Sequence, residues 1–277
     1  MTDKLPRLLY RTILGRCLLK ILVSPGVSCL AGKALSSRMS RRIVPWYIKK
    51  YGIKMNDIDI PPDGFSSFND FFTRKRKGIV SPKPLDNRLL CPCDGWLSVE
   101  KIRENSSFRL KGMSYGLQRL LDDENMASLL QGGVALIFRL TPQNYHRYCY
   151  SADGKVLYGK KLEGKLHCVR PIALETVPVF AENSREYQVI RTQRQKYMVH
   201  MEIGALLVGK ISNYPITKKY EEVNAGKEKG YFEFGGSTII LLFEKNTIQL
   251  NSDFLYEWDG QSEIPVQMGE SIGRVLP

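Results

Sequence analysis

The sequence has no apolar run of 18 residues, so no stretch of it reads as a membrane span. The segment from Leu14 to Ser28 has the loose outline of a secretory leader, but Arg16 and Lys20 interrupt its apolar centre, and no cleavage is expected there. The six cysteines (Cys17, Cys29, Cys91, Cys93, Cys149 and Cys168) lack the spacing of an extracellular disulfide framework. Cys91-Pro-Cys93 is too tight for the usual zinc pair, so reduced thiols and no metal are expected. Histidine is scarce, with only His146, His167 and His200 to handle protons near neutral pH. Acid is nearly missing from the N-terminal part. From Met1 to Lys54 there are 12 Lys or Arg against one acid, Asp3, a balance of +11 out of a total of +13. The remainder carries 29 basic and 27 acidic residues, so the basic character belongs to an arm and not to the body. Such an arm attracts phosphates, on nucleic acid or on an anionic membrane.

The chain has 277 residues, 43% hydrophobic and 10% aromatic, enough for one large folded domain or two small ones. Residues 4–13 are amphipathic if helical, with Leu5, Leu8, Leu9 and Ile13 on one side and Lys4, Arg7 and Arg11 on the other. An apolar face rimmed by cations suits a helix lying in a membrane interface, and equally a helix packed on its own domain. The charge asymmetry favours the membrane. Lys33–Tyr51 reads as a second helical stretch, kinked or restarted at Pro45. Its Trp46, Tyr47 and Tyr51 are interfacial or core aromatics. Gly52 and the Pro61-Pro-Asp-Gly64 turn close an arm spanning residues 1–64.

Phe65-Ser-Ser-Phe-Asn-Asp-Phe-Phe-Thr-Arg74 opens the remaining segment, 65–277. Ser67 and Asp70 make a helix-start pair, and Phe68, Phe71 and Phe72 an apolar anchor. Arg74-Lys-Arg-Lys77 reads as a solvated face, or as a phosphate holder if an anionic lipid lies near. From Ser81 on, brief apolar runs between turns (Val134–Leu140, Val156–Tyr158, Gly204–Val208, Ile239–Phe243) point to strands, with a helix around Ser114–Leu130. Gly204-Ala-Leu-Leu-Val-Gly-Lys-Ile211 and Gly269-Glu-Ser-Ile-Gly-Arg-Val275 echo each other weakly. The fold class expected is α+β, mainly β, with a sandwich- or barrel-like β body and a helical, basic N-terminal region.

The chain is organised around Gly230-Tyr-Phe-Glu-Phe-Gly-Gly-Ser-Thr238 and the apolar run Ile239–Phe243 behind it. Two glycines permit backbone shapes closed to other residues. Three fates are open to Ser237. It is an external nucleophile, or it attacks the carbonyl of Gly236, or it is a plain strand-entry serine. A hydrolase elbow would read Gly-x-Ser-x-Gly before a helix, whereas here Ile239 stands in the last position and a strand follows. The inward attack gives an ester, and elimination then breaks the chain and leaves a pyruvoyl end. It needs a base, and a group to orient that base. Asp94, in Cys91-Pro-Cys-Asp-Gly-Trp96, reads as a turn aspartate by itself. His146, in Leu140-Thr-Pro-Gln-Asn-Tyr-His-Arg-Tyr-Cys149, follows a strong β run.

Gly230–Thr238, the Phe-rich stretch at 65–74, the Asp94 turn and the His146 segment together resemble the phosphatidylserine decarboxylase family, over residues from about Phe65 to the C-terminus. The resemblance implies a proenzyme cleaved between Gly236 and Ser237 into chains 1–236 and 237–277 that stay associated. It implies a covalent pyruvoyl group made from Ser237 and no external cofactor. It implies decarboxylation of phosphatidylserine to phosphatidylethanolamine through a Schiff base. Asp94 matches the family residue that orients the base, and His146 matches the first family histidine. The second family histidine, the self-cleavage base, is replaced by Cys149. His146 is then the first choice for that role, His167 the second, and a Cys149 thiolate the third. His200 matches no motif and reads as structural or exposed. Val208-Gly-Lys-Ile211 also resembles a family turn near the site, or is simply a strand-end turn.

The substrate is an anionic membrane lipid, which accounts for the basic arm. Peripheral attachment to the cytoplasmic face of the cell membrane is expected, without nucleic acid, and a homodimer stays open. Decarboxylation of another amino-acid-bearing lipid or of a free amino acid remains an alternative. So do a membrane-docked serine hydrolase using Ser237 and a non-catalytic binding module.

Overall fold

The computed structural model describes residues 4–78, 87–206, 210–218, 220–235, 237–254 and 263–276. Gly236, Val208 and Gly209 of the Val208–Ile211 stretch, and the Ser81 at which the β pattern was expected to begin lie outside the described residues.

The basic region is helical. Helices α1 (Lys4–Arg11), α2 (Ile13–Leu22) and α3 (Pro25–Leu35) lead through a 3-10 turn at Arg38–Ile43 to α4 (Val44–Tyr51). The Thr12 hydroxyl accepts the Gly15 amide at 3.0 Å and starts α2. Gly15 is required there, because a Cβ would fall 2.0 Å from the Leu8 carbonyl oxygen. The helical stretch expected from Lys33 to Tyr51, kinked or restarted at Pro45, restarts at Val44 after the 3-10 turn. Pro45 sits in the first turn of α4, where its missing N–H costs nothing, and Gly52 closes α4 with φ 60°. Helix α5 (Phe68–Phe72) forms as its spacing predicts, with the Ser67 hydroxyl accepting the Asp70 amide at 3.1 Å and Asp70 accepting the Ser66 amide at 2.8 Å.

The body is built on strands β1 (Gly95–Lys101), β2 (Val134–Leu140), β3 (Arg147–Cys149), β4 (Gly154–Leu162), β5 (Arg185–Thr192), β6 (Tyr197–Ile203), β7 (Ile211–Asn213), β8 (Glu222–Val223), β9 (Glu228–Phe232), β10 (Ser237–Phe243) and β11 (Ile264–Val266). Among the described residues, an antiparallel sheet runs in the order β8-β4-β5-β6-β10-β2-β1-β11, and a smaller sheet in the order β7-β9-β3. All seven residues of β10 are buried, which is why its sequence runs apolar without alternation. The architecture is α+β and mainly β, as the sequence implies.

Two expectations are corrected. Ser114–Leu130 is not one helix. Met113–Gly116 is a strand, and two short helices, Leu117–Leu121 and Glu124–Leu129, follow it. They are separated because Asp122 turns left-handed (φ 50°) and Asp123 caps the second by accepting the Met126 amide. The run beginning at Gly204 is not a strand over residues 204–206, because β6 ends at Ile203, whereas its echo forms the strand Ser271–Val275.

One large core unites the sheets and takes in Leu9 and Tyr10 of α1 and Leu19 of α2. A second, aromatic cluster joins Val44 and Tyr47 of α4 to Phe68, Phe71 and Phe72 of α5, with Phe234 packed against it. That second cluster carries the segment leading to Ser237.

Candidate active site

Four neighbouring strands of the large sheet meet at one end. Ser237 opens β10 opposite Leu140, the last residue of β2, and Thr238 lies opposite Ile203, the last of β6. Trp96 of β1 pairs with Arg139, so Asp94 stands just outside the same end. The loop 141–146 leaves from it too. Antiparallel pairing alone therefore gathers Asp94, His146 and Ser237, although they are far apart in sequence.

The loop is held firmly. Asn144 Oδ1 accepts the Thr141 amide at 2.7 Å and the Thr141 hydroxyl at 2.6 Å, and Tyr47 donates to the Pro142 carbonyl at 2.8 Å. His146 at its end is fully buried and stacks on Phe72, with centroids 4.1 Å apart. Neither ring nitrogen has a hydrogen-bond partner. Burial, helped by the nearby Arg74 charge and opposed by the Thr141 backbone, pulls its pKa down to about 3, so the ring is neutral, with a proton on one nitrogen and a lone pair on the other.

The segment ahead of Ser237 is fixed on several sides. The Phe232 amide donates to the His146 carbonyl at 2.9 Å and the Glu233 amide to the Lys210 carbonyl at 3.2 Å. The Phe234 amide donates to Asn69 Oδ1 at 3.2 Å, and its ring meets Phe68 and Phe72 edge-on at 5.0 and 5.1 Å. Gly235 takes φ 145°, a backbone shape that side chains disfavour. The hydroxyls of Ser237 and Thr238 are buried without a hydrogen-bond partner. A buried orphan hydroxyl is uncommon and calls for a reason.

The other residues singled out in the sequence fall as follows. Asp94 does not bond a histidine. Its carboxylate is gripped by Arg76, at 3.0 and 2.6 Å, and accepts the Met268 amide at 3.0 Å. Cys149 is buried, its thiol 3.7 Å from the Cys91 carbonyl oxygen, and burial pushes its pKa up to about 12, so it is a thiol and not a thiolate. His167 is directed elsewhere, with Nδ1 3.4 Å from the Tyr10 hydroxyl and Nε2 3.5 Å from Glu182. Burial lowers its pKa, against the pull of Glu182. His200 is fully buried, with Nε2 3.3 Å from Glu202, which in turn meets the buried Lys229 at 2.8 Å.

Sequence reasoning missed Asn69 and the Glu202–Lys229 pair as contributors, and it named the Arg74–Lys77 run without foreseeing the grip of Arg76 on Asp94. For Asn69 a signal existed, a carboxamide inside a short Phe-rich helix where helix propensity does not favour it. Beside Asp94 a cleft of about 1350 Å³ opens between the end of α4 and the body, lined by Arg74, Arg76, Asn144, Tyr145 and Met268 among others. Among the described residues no group of three or more His, Cys, Asp or Glu is placed to hold a metal ion.

This arrangement puts the buried Ser237 and a neutral imidazole at the same end of the sheet. Comparison with known proteins agrees with it. The family profile described as phosphatidylserine decarboxylase matches residues 68–274. Phosphatidylserine decarboxylase proenzyme 2 of Clostridium acetobutylicum is 39% identical over 271 residues, covering 97% of this chain and 91% of its own length. The phosphatidylserine decarboxylase proenzyme of Ruminiclostridium cellulolyticum is 37% identical over 274 residues, covering 97% of this chain and 90% of its own. That of Clostridium perfringens is 37% identical over 274 residues, covering 96% and 91%. With a profile spanning most of the chain and relatives alike from end to end, the chain belongs to the phosphatidylserine decarboxylase family.

Proposed function

We propose that this chain is a self-cleaving proenzyme that decarboxylates phosphatidylserine to phosphatidylethanolamine and CO2, with Ser237 as the source of its pyruvoyl group. The observation that carries the reading is the Ser237 hydroxyl, buried and unbonded at the start of β10, directly behind two glycines. A hydroxyl left without a partner is free to turn on the Gly236 carbonyl. Ser237 Oγ bonds to that carbon as the Gly236–Ser237 amide breaks, giving an ester. Removal of the Ser237 α-proton then expels the Gly236 carboxylate, and loss of ammonia with uptake of water leaves pyruvoyl at residue 237.

His146 is the base favoured for the serine proton, since burial keeps its imidazole neutral and no hydrogen bond occupies its unprotonated nitrogen. Cys149 is disfavoured by its raised pKa, and His167 by its contacts with Tyr10 and Glu182. Asp94 acts through Arg76 in the intact chain, holding the floor of the cleft. When present, the pyruvoyl ketone supplies the electron sink that loss of CO2 requires. Chains 1–236 and 237–277 remain associated because β10 lies between β6 and β2, paired on both sides.

The enzyme binds peripherally to the cytoplasmic face of the cell membrane. Ile13, Leu14, Leu18, Ile21 and Leu30 are exposed on α2 and α3, among the cations Arg7, Arg11, Arg16 and Lys20. Among the described residues no single helix is long and apolar enough to cross a membrane, although the bent pair Ile13–Leu22 and Gly26–Leu35, at 63°, passes by length and composition together. A surface-lying helix pair satisfies that composition without a span.

Denaturing mass spectrometry tests the reading. Two chains are expected, the shorter beginning at residue 237 with a blocked end, and Ser237→Ala should stay whole and inactive. A single intact chain in an active preparation overturns it.

A further inference from the structure

Four described cationic side chains are more than nine-tenths buried: Arg74, Arg147, Arg185 and Lys229. Three of them are fully answered. Arg147 meets Glu228 at 2.6 Å, and Lys229 meets Glu202 at 2.8 Å. Arg185 donates to the Leu120, Asn183 and Arg119 carbonyls at 2.7, 2.9 and 2.9 Å. Arg74 is different. It has no carboxylate partner, its Nε is buried and unbonded, and its remaining bonds are long ones to the Phe72 and Asn144 carbonyls, at 3.4 and 3.3 Å. It is 4% exposed, and it lines the cleft beside Asp94. A buried guanidinium in this condition is costly unless something else completes it.

Arg76 lines the same cleft, close enough that the like charge works against Arg74. The acids of the cleft form no salt bridge with Arg74, and Asp94 attracts it only at a distance. Asp94 and Asp57 are engaged by Arg76, and Glu270 accepts the Gln267 amide. Lys54 adds a third cation to the lining. Tyr145 supports the Arg76 guanidinium from below, with 4.4 Å to the ring centroid. The cleft thus presents clustered cationic donors suited to one anionic group.

We propose that Arg74, with Arg76 beside it, holds the phosphodiester of the lipid headgroup, which orients the serine end of the substrate toward residue 237. The inference rests on the reading of the chain as a phosphatidylserine decarboxylase. The headgroup carries two anions, and reaction chemistry chooses between them. The carboxylate loses its charge as CO2 leaves, so a guanidinium clamp on it stabilises the ground state more than the transition state and slows the step. The phosphodiester keeps its charge throughout, and a clamp on it contributes binding and orientation without that penalty. Arginine rather than lysine suits the task, because its planar fork meets two oxygens at once.

The test uses the intact Ser237→Ala chain, so that binding is read without cleavage or turnover. Calorimetry measures glycerophosphoethanolamine (phosphodiester, no carboxylate), L-serine (carboxylate, no phosphate) and inorganic phosphate. Glycerophosphoethanolamine should bind more tightly than inorganic phosphate. Adding Arg74→Met should weaken its binding tenfold or more and leave L-serine unchanged. Arg74→Lys, which keeps the charge and loses the fork, should fall between, and it decides the matter if the methionine variant does not fold. Unchanged glycerophosphoethanolamine binding in a folded Arg74 variant overturns the proposal. So does a loss confined to L-serine, or inorganic phosphate binding as tightly as the diester. In the cleavable background, Arg74→Met should still self-cleave and should raise KM for phosphatidylserine about tenfold. Failure of wild-type cleavage would overturn the proposed function while leaving the calorimetric result to stand on its own.

Discussion

Phe72 and His146 form a stacked pair, with ring planes 23° apart and centroids separated by 4.1 Å. The contact links the Phe-rich helix at 68–72 to the loop that carries the imidazole, and it seals that imidazole from water. Phe72→Leu keeps the surroundings apolar but removes the stacking partner, at a stability cost of roughly 0.5–3 kcal/mol. With the seal loosened, the His146 pKa is expected to rise from about 3 toward its ordinary value. Self-cleavage should slow at least tenfold, because a misplaced base loses its alignment. Imidazole proton NMR across pH reads the first effect, and the time course of chain separation on denaturing gels reads the second.

Stability should fall in mild acid, and the sign follows from direction alone. His146 and His200 are fully buried, and burial lowers both pKa values below that of an unfolded histidine. Between the folded and unfolded pKa values the unfolded chain binds more protons, so acid favours unfolding. The stabilising contribution is complete above the unfolded value of about 6.5 and is lost as pH falls through the window beneath it. At pH 5.5 each such histidine should withdraw about 1.4 kcal/mol. Urea unfolding of Ser237→Ala at pH 7.5 and 5.5 checks this, and His146→Gln should reduce the difference. An equal loss in the two proteins would remove His146 from the account.

Much of this site was legible in the sequence, because local rules governed it. Ser67 and Asp70 cap α5 as their spacing implies, and the run Ile239–Phe243 is a buried strand. Cys149, the third candidate base in the sequence, is disfavoured by burial that pushes its thiol pKa up to about 12, and that burial cannot be read from spacing. What stayed hidden was long-range. Arg76 grips Asp94 across 18 positions, and Asn69 reaches Phe234 across 165. The helix expected over Ser114–Leu130 failed for a local reason, because the two adjacent aspartates serve as stop and cap instead of interior residues.

Asn69 ties the cleavage segment to the N-terminal helices. Its Oδ1 accepts the Phe234 amide at 3.2 Å, while its Nδ2 donates to Ser36 Oγ at 2.9 Å and to the Gly32 carbonyl at 3.3 Å. One carboxamide therefore holds the chain two residues before Gly236 against the end of α3. Asn69→Leu should cost about 1–3 kcal/mol through the unpaired groups it leaves behind. It should slow self-cleavage about tenfold or more while leaving the circular dichroism spectrum unchanged. Cleavage at the wild-type rate in a folded Asn69→Leu protein would show that this tether does not position Gly236.

Lys229 and Glu202 are buried together, 2.8 Å apart, and Asn213 bonds to both, at 2.9 and 3.1 Å. Lys229 belongs to β9, which precedes Ser237 in the chain, and Glu202 to β6, which lies against β10. Burial lowers the lysine pKa and raises the glutamate pKa, and each partner opposes the shift of the other. Neither charge is tolerable alone in that setting, so Lys229→Met should destabilise by about 3–5 kcal/mol. Removing both charges is a different matter. Lys229→Met with Glu202→Leu leaves no orphan ion, and such replacements of a buried pair are often neutral. The double variant should therefore regain most of the stability lost by the single one, as measured by urea unfolding in the Ser237→Ala background. If it is as stable as wild type and still cleaves at the normal rate when Ser237 is restored, the pair serves packing alone. Slow cleavage at restored stability would assign it the register of β9, and with it the approach of Ser237 to the peptide ahead of it.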